Sequence, residues 1–268
     1  KQSPLVDLFS GSFEGWDLDG ALNLDLNLKM DLSIGKKSLD VSFDADLKDV
    51  QGQTDFKNIE LEKINGKIHY TTKAGFSSSD LSGFLWDNIV NVDLKSWTPN
   101  LTDESLNGLR GLQAEFSSQY DFAAIQQQLA LKNTFFVNGV TQVDLILRLL
   151  PGYSPTLHFV SNLEGITLDL PAPWGKSFEE SVEFKGLWTQ IESEQLVSLW
   201  LESGLTLDLA LNEDGFFSGA LKFIDPDLDL SGWMESGWLE SSSLNNYPHD
   251  GKMTLSGLVQ SLDTNMWI

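Results

Sequence analysis

From Leu22 to Ile34 the chain alternates without a break. Leu22, Leu24, Leu26, Leu28, Met30, Leu32 and Ile34 take every second place, and Asn23, Asp25, Asn27, Lys29, Asp31 and Ser33 fill the places between. A helix with about 3.6 residues per turn would scatter these leucines around its circumference, whereas a strand puts every apolar side chain on one face. The pattern predicts a strand against leucine's own helical leaning. Thirteen residues at ~3.3 Å each reach roughly 43 Å, more than twice the usual strand of about 5 to 6 residues.

After a turn at Gly35-Lys36-Lys37 the alternation resumes, with Leu39, Val41, Phe43, Ala45 and Leu47 against Asp40, Ser42, Asp44, Asp46 and Lys48. Two such runs predict an antiparallel hairpin. Weaker runs follow at 67–72, 90–95, 143–149, 165–170 and 205–211, separated by turn-forming clusters such as Asn65-Gly66, Asn138-Gly139 and Pro151-Gly152. These connections favour a meander over helical crossovers, so the sheet is expected to be mostly antiparallel. Helix is expected only at Thr102 to Leu109 and Asp121 to Leu129. Strand spacing continues across the chain, so residues 1–268 read as one continuous architecture. The best internal punctuation is near 171–178, where Pro171 and Pro173 cannot continue a central ladder.

A sheet with one apolar face must cover it with a second sheet, by curling, or with a ligand. The expected fold is therefore all-β: a long, strongly curled sheet forming an elongated apolar groove, with few short helices. On pattern alone a sandwich is a close rival. If the groove exists, its lining falls on the alternating apolar positions Leu22, Leu24, Leu26, Leu28, Met30, Leu32, Leu39, Val41, Phe43, Leu145, Leu147, Leu205, Leu207 and Leu209.

Charge narrows the partners. With 17 Lys+Arg against 39 Asp+Glu the formal charge is -22, which repels phosphate backbones and argues against nucleic acid. An apolar interior could still hold acyl chains. There is no cysteine, so packing and ladders must hold the fold, and the compartment stays open between cytosol and periplasm. No apolar run approaches the ~18 residues needed to span a bilayer.

Motifs for chemistry fail residue by residue. Gly175-Lys176-Ser177 imitates the end of a phosphate-binding loop, but Leu170 stands where that loop needs glycine. Asp225, Asp227 and Asp229 open like a calcium loop, yet Leu230 replaces its turn glycine and Ser236 its distal glutamate. His69, His158 and His249 are mutually remote, without metal-ligand spacing, and read as strand or surface residues. No serine elbow occurs, and most acids alternate with Leu as a solvated outer face. No cofactor, metal or catalytic residue is therefore expected. The nine Trp and 16 Phe read mainly as core, with sugar stacking or the rim of a trough as alternatives.

One stretch is more specific. Ser161-Asn162-Leu163-Glu164-Gly165-Ile166-Thr167-Leu168-Asp169-Leu170-Pro171-Ala172-Pro173-Trp174-Gly175-Lys176 resembles a signature segment of the AsmA-like family of Gram-negative envelope proteins, most closely its large YhdP-type members. Residues 76–96 resemble the family's recurring strand unit, and Gly251 to Trp267 its downstream run. Trp174 departs from the aliphatic residue usual there. The resemblance implies an excised periplasmic portion of a longer protein anchored in the inner membrane, whose curled sheet carries phospholipid in a groove towards the outer membrane. It thereby favours trough over sandwich. The rival classes are a non-transporting envelope scaffold and a carbohydrate-binding β-domain.

Overall fold

The computed structural model describes residues 17–30, 39–53, 60–98, 110–124, 137–150, 153–170, 175–191, 194–212, 215–223 and 253–257. They form the strands β1 (Asp17–Met30), β2 (Leu39–Gln53), β3 (Glu60–Thr71), β4 (Gly75–Leu85), β5 (Asn88–Trp97), β6 (Gly111–Asp121), β7 (Val137–Leu149), β8 (Thr156–Ser161), β9 (Ile166–Leu168), β10 (Phe184–Ile191), β11 (Glu194–Leu201), β12 (Leu205–Asn212), β13 (Gly215–Phe223) and β14 (Met253–Gly257). The order in the sheet is the order in the chain, running from β1 to β14 without closing into a barrel, with β9 set aside on β7. Successive strands from β1 to β6, and from β8 through β10 to β13, pair antiparallel. Strand β14 joins β13 in parallel. The fold is all-β and mostly antiparallel, as the alternation predicts.

Helix is nearly absent from the described residues. The expected helix from Asp121 is a single turn at 122–124, where the Asp121 carboxylate accepts the Ala123 N–H at 2.9 Å. The rest of that segment, the 102–109 candidate, Leu32 and the acidic 225–229 run lie outside the described residues. Contacts gather into two compact units, 1–118 with 146–153 and 119–145 with 154–268. The punctuation near 171–178 falls inside the second.

In the first unit, Cα partners across each ladder share a face. Leu26, Phe43, Tyr70 and Phe76 form one rank, with Leu24, Ala45 and Ile68 beside it. On the reverse face Asp25, Asp44, His69, Ser77 and Lys95 form another. The predicted split into apolar and charged faces thus extends over five strands.

A line of β-bulges crosses these ranks. Register shifts fall between Asp19 and Ala21 in β1, between Leu47 and Val50 in β2, between Glu62 and Lys67 in β3, and between Ser77 and Leu81 in β4. Asp49, Lys63 and Asp80 take positive φ there, as do Gly20 and Gly66. Each bulge adds a residue, bends its strand and increases local twist. Aligned across four strands, they crease the sheet. Asn65 ties two of them together, accepting the Asp49 N–H at 3.0 Å and donating to the Lys63 carbonyl at 2.7 Å. Beyond the crease Val50 pairs with Ile64 and Gly83 with Val90, so apolar side chains return to the same face in shifted parity.

The second unit repeats the division of faces. Leu157, Trp188, Val197, Leu209 and Gly219 lie in one rank, with Phe159, Gly186, Leu199, Leu207 and Leu221 in the next. The reverse face carries His158, Leu187, Ser198, Asp208 and Ala220. Beside this sheet, β9 turns into a small hairpin in which Leu168 and Lys176 exchange both backbone hydrogen bonds, at 2.9 and 3.0 Å. The buried Lys176 ammonium donates to the carbonyls of Ile166 at 2.7 Å and Ser177 at 2.9 Å. The lysine that imitated a phosphate-binding loop is a structural lock.

Candidate functional site

The feature with functional content is an apolar sheet face, and each unit has one of its own. In the first unit Leu22, Leu24, Leu26 and Leu28 on β1 are 51, 48, 50 and 59 % exposed. Their partners in β2 are covered: Phe43 and Ala45 are buried, and Val41 and Leu47 half-buried. Next to them Tyr70 lies 5.3 Å from Phe43 and 4.7 Å from Phe76, centroid to centroid, in an aromatic cluster continuous with the Leu26 rank. Towards β5 and β6 the face closes over Leu81, Val90, Leu94, Ala114 and Phe116, all buried.

In the second unit one face of the sheet is covered. Leu196, Trp200, Ala210 and Ala220 are buried on it together with Thr156, His158, Ser198, Thr206 and Ser218, and Asp208 is half-buried. The Asp208 carboxylate accepts the Ser198 hydroxyl at 2.7 Å and pairs with the Lys222 ammonium at 2.8 Å, which compensates the burial of these three groups. Lys185 sits over the Trp200 ring on the same side, 4.9 Å from its centroid. The opposite face leaves Leu157, Phe159, Val197, Leu199, Leu205, Leu207, Leu209 and Leu221 only half-buried, with Trp188 and Leu201 buried among them. It is an aliphatic surface that the sheet itself covers in part.

The expected lining residues divide accordingly. Leu22 through Leu28 share a face and a register with Val41 and Phe43, while Met30 pairs with Leu39 at the end of the ladder. Leu147, at the end of β7 that belongs to the first unit, is half-buried. Leu145, in the second unit, is buried within packed side chains. Leu205, Leu207 and Leu209 lie together on β12. Residues missed by the alternation are Tyr70, Phe76, Leu157, Phe159, Val197, Leu199 and Leu221. Their strands mix Gly, Ser and continuous apolar runs, and only the register shows which face each occupies.

Electrostatics keep the reverse face of the first unit wet and ordered. Lys95 bridges Glu115, which also accepts from Gln113 at 2.6 Å. The Lys95 hydrogen bond outweighs burial and, with Gln113 and Arg148 assisting, holds the Glu115 carboxyl below its ordinary value. His69 is hydrogen-bonded to Asp44 at 2.8 Å, and His158 is a buried strand residue. Among the described residues no helix is long and apolar enough to cross a membrane.

A family model described as YhdP protein matches residues 1–263. The chain belongs to the YhdP family. That membership makes it an AsmA-like envelope protein, and the segment 161–176 that carried the resemblance is the β8–β9 connection with its lysine-locked hairpin. Neither the curated proteins nor the solved structures searched gave a match.

Proposed function

We propose that this YhdP-family chain is part of a bridge-like lipid transfer protein whose apolar sheet face carries phospholipid acyl chains across the periplasm, between inner and outer membranes. The observation that carries the reading is the aliphatic face of the second unit, where Leu157, Val197, Leu199, Leu207, Leu209 and Leu221 stay only half-buried. The exposed leucines of β1 support it independently. Acyl chains suit such a face better than sugar, because Phe43, Tyr70 and Phe76 turn their rings on one another, leaving no flat platform beside polar groups. The acidic reverse face disfavours adsorption on anionic headgroups, so membrane contact falls to other parts of the protein.

Photo-crosslinking in the full-length protein tests this. A crosslinker at position 26 or 207, on the apolar face, should label phospholipid in cells. The same group at 27 or 208, one residue away and on the opposite face, should not. Equal labelling at both, or labelling only at 27 and 208, refutes the proposal.

A further inference from the structure

The strand ends of the first unit form two rims of opposite charge. One rim follows Met30, Leu39, Thr71, Gly75, Trp97 and Gly111, and the other follows Asp17, Gln53, Glu60, Leu85 and Asn88. Among the described residues the second rim bears Asp17, Asp19, Glu60, Glu62 and Asp87, against Lys63. The first bears Lys29, Lys73 and Arg110, with Asp40 opposite Lys29. Both arginines of this strongly acidic chain stand here: Arg148, at the end of β7, lies over Trp97 at 5.1 Å, and Arg110 opens the strand paired to Trp97.

Arg110 and Lys73 are held side by side. One guanidinium nitrogen of Arg110 donates to the carbonyls of Thr72 at 3.1 Å and Lys73 at 2.9 Å, which fixes it against the β3–β4 turn. Both side chains are exposed, and neither forms an ion pair among the described residues. The turn they decorate joins Tyr70 to Phe76, the aromatic pair on the apolar face. From Tyr70 to Lys73 is roughly 10 Å of extended chain, within reach of a glycerol phosphate whose acyl chains rest on the aromatics.

We propose that the Lys73–Arg110 rim holds the phosphate of a phospholipid lying on the Phe43–Tyr70–Phe76 face, while the acidic rim turns headgroups away, so that lipid lies with its headgroup to one side only. The assignment rests on the acyl-chain reading above and adds the headgroup chemistry and its orientation. A planar guanidinium beside an ammonium suits a phosphate monoester or diester, and charge complementarity is confined to this side.

The test compares dioleoylphosphatidic acid with dioleoylglycerol, which differ only in the phosphate, each presented to the purified chain in detergent and counted by native mass spectrometry. The unsubstituted chain should retain phosphatidic acid in preference. Lys73→Glu, at an exposed side chain outside any ion pair among the described residues, should lower its retention by roughly three- to tenfold, as expected for an exposed charge pair converted to repulsion, and leave dioleoylglycerol unchanged. Arg110→Gln should act in the same direction. An unchanged ratio in both variants, or equal loss of both lipids, overturns the rim assignment while leaving the apolar face in place. If the unsubstituted chain retains neither lipid, the acyl-chain reading fails and the rim falls with it.

Discussion

Gly66→Ala is the sharpest test of the crease. Gly66 sits where β3 meets the β4 bulge, at φ 134°, and a Cβ built there would lie 2.5 Å from the Asp80 carbonyl oxygen and 2.6 Å from the Leu81 Cα. Both neighbours are backbone, so no rotamer change relieves the contact. Adopting that φ with a side chain costs about 1–3 kcal/mol. Overpacking against fixed atoms adds about 1–3 kcal/mol. The smaller entropy of an unfolded alanine chain returns about 0.4–1 kcal/mol. The balance is a loss of about 1–5.5 kcal/mol, a large part of the stability of an ordinary domain at the upper end. Urea denaturation followed by tryptophan fluorescence, with Trp86 and Trp97 reporting from this unit, measures it as a fall in midpoint at constant slope. A loss under about 1 kcal/mol would mean that the bulges slide freely and the crease is not a fixed feature.

Leu26→Asp should cost the lipid-free chain only about 1 kcal/mol, since the side chain is half exposed already, but should abolish lipid retention, because a carboxylate under an acyl chain loses several kcal/mol of solvation. Asn27→Asp should leave retention unchanged; native mass spectrometry reads both. Glu115 has its pKa held below the ordinary carboxylate range by Lys95, so its contribution is present above about pH 4.5 and lost as pH falls through the lowered value. Glu115→Gln should flatten that part of the acid denaturation profile. Burial lowers the Lys176 pKa, so the ammonium is disfavoured in the fold and stability should rise with pH from the lowered value up to the unfolded one near 10.5. Lys176→Met should remove that rise and cost about 1–3 kcal/mol by leaving the Ile166 and Ser177 carbonyls without this donor, seen as faster amide exchange in the β9 hairpin. Burial pushes the Tyr120 hydroxyl up to about 12. Its stabilising effect is therefore present below the unfolded value near 10 and lost between there and 12, and Tyr120→Phe should remove one late step from the phenolate absorbance titration.

What the sequence made legible was the local pattern wherever the ladder is regular. The hairpin of β1 and β2 needs only period two, and its faces follow directly from the leucines and aspartates. The same rule fails at a bulge. Phe76 and Leu81 share the apolar face although five residues separate them, and Leu47 and Val50 share it although three do, because each bulge shifts the parity of the residues that follow. In β11 the run from Leu196 to Leu201 is nearly continuous in apolar residues, so period two vanishes, and the face of Val197 and Leu199 is set by their partners in β12. In β6 the alternation of Leu112, Ala114, Phe116, Ser118 and Tyr120 is real but diluted by small residues. Which face of the second unit is the covered one could not be read from any pattern, because alternation is symmetric in that respect.

The half-buried aliphatic face of the second unit also has an energetic side. Each such residue leaves roughly 0.2–1 kcal/mol of transfer free energy unrealised. Leu157, Val197, Leu199, Leu205, Leu207, Leu209 and Leu221 together therefore forgo about 1–7 kcal/mol, a sizeable share of the stability of an ordinary domain. On the covered side Ser198, Asp208 and Lys222 satisfy one another. A ligand that covers the leucines recovers the forgone term without any rearrangement of the ladders. It needs no directional contacts to do so, since the hydrophobic term scales with area and has no preferred geometry. An apolar ligand on such a face would bury similar area at every register, which is the energetic condition for a ligand to slide along it.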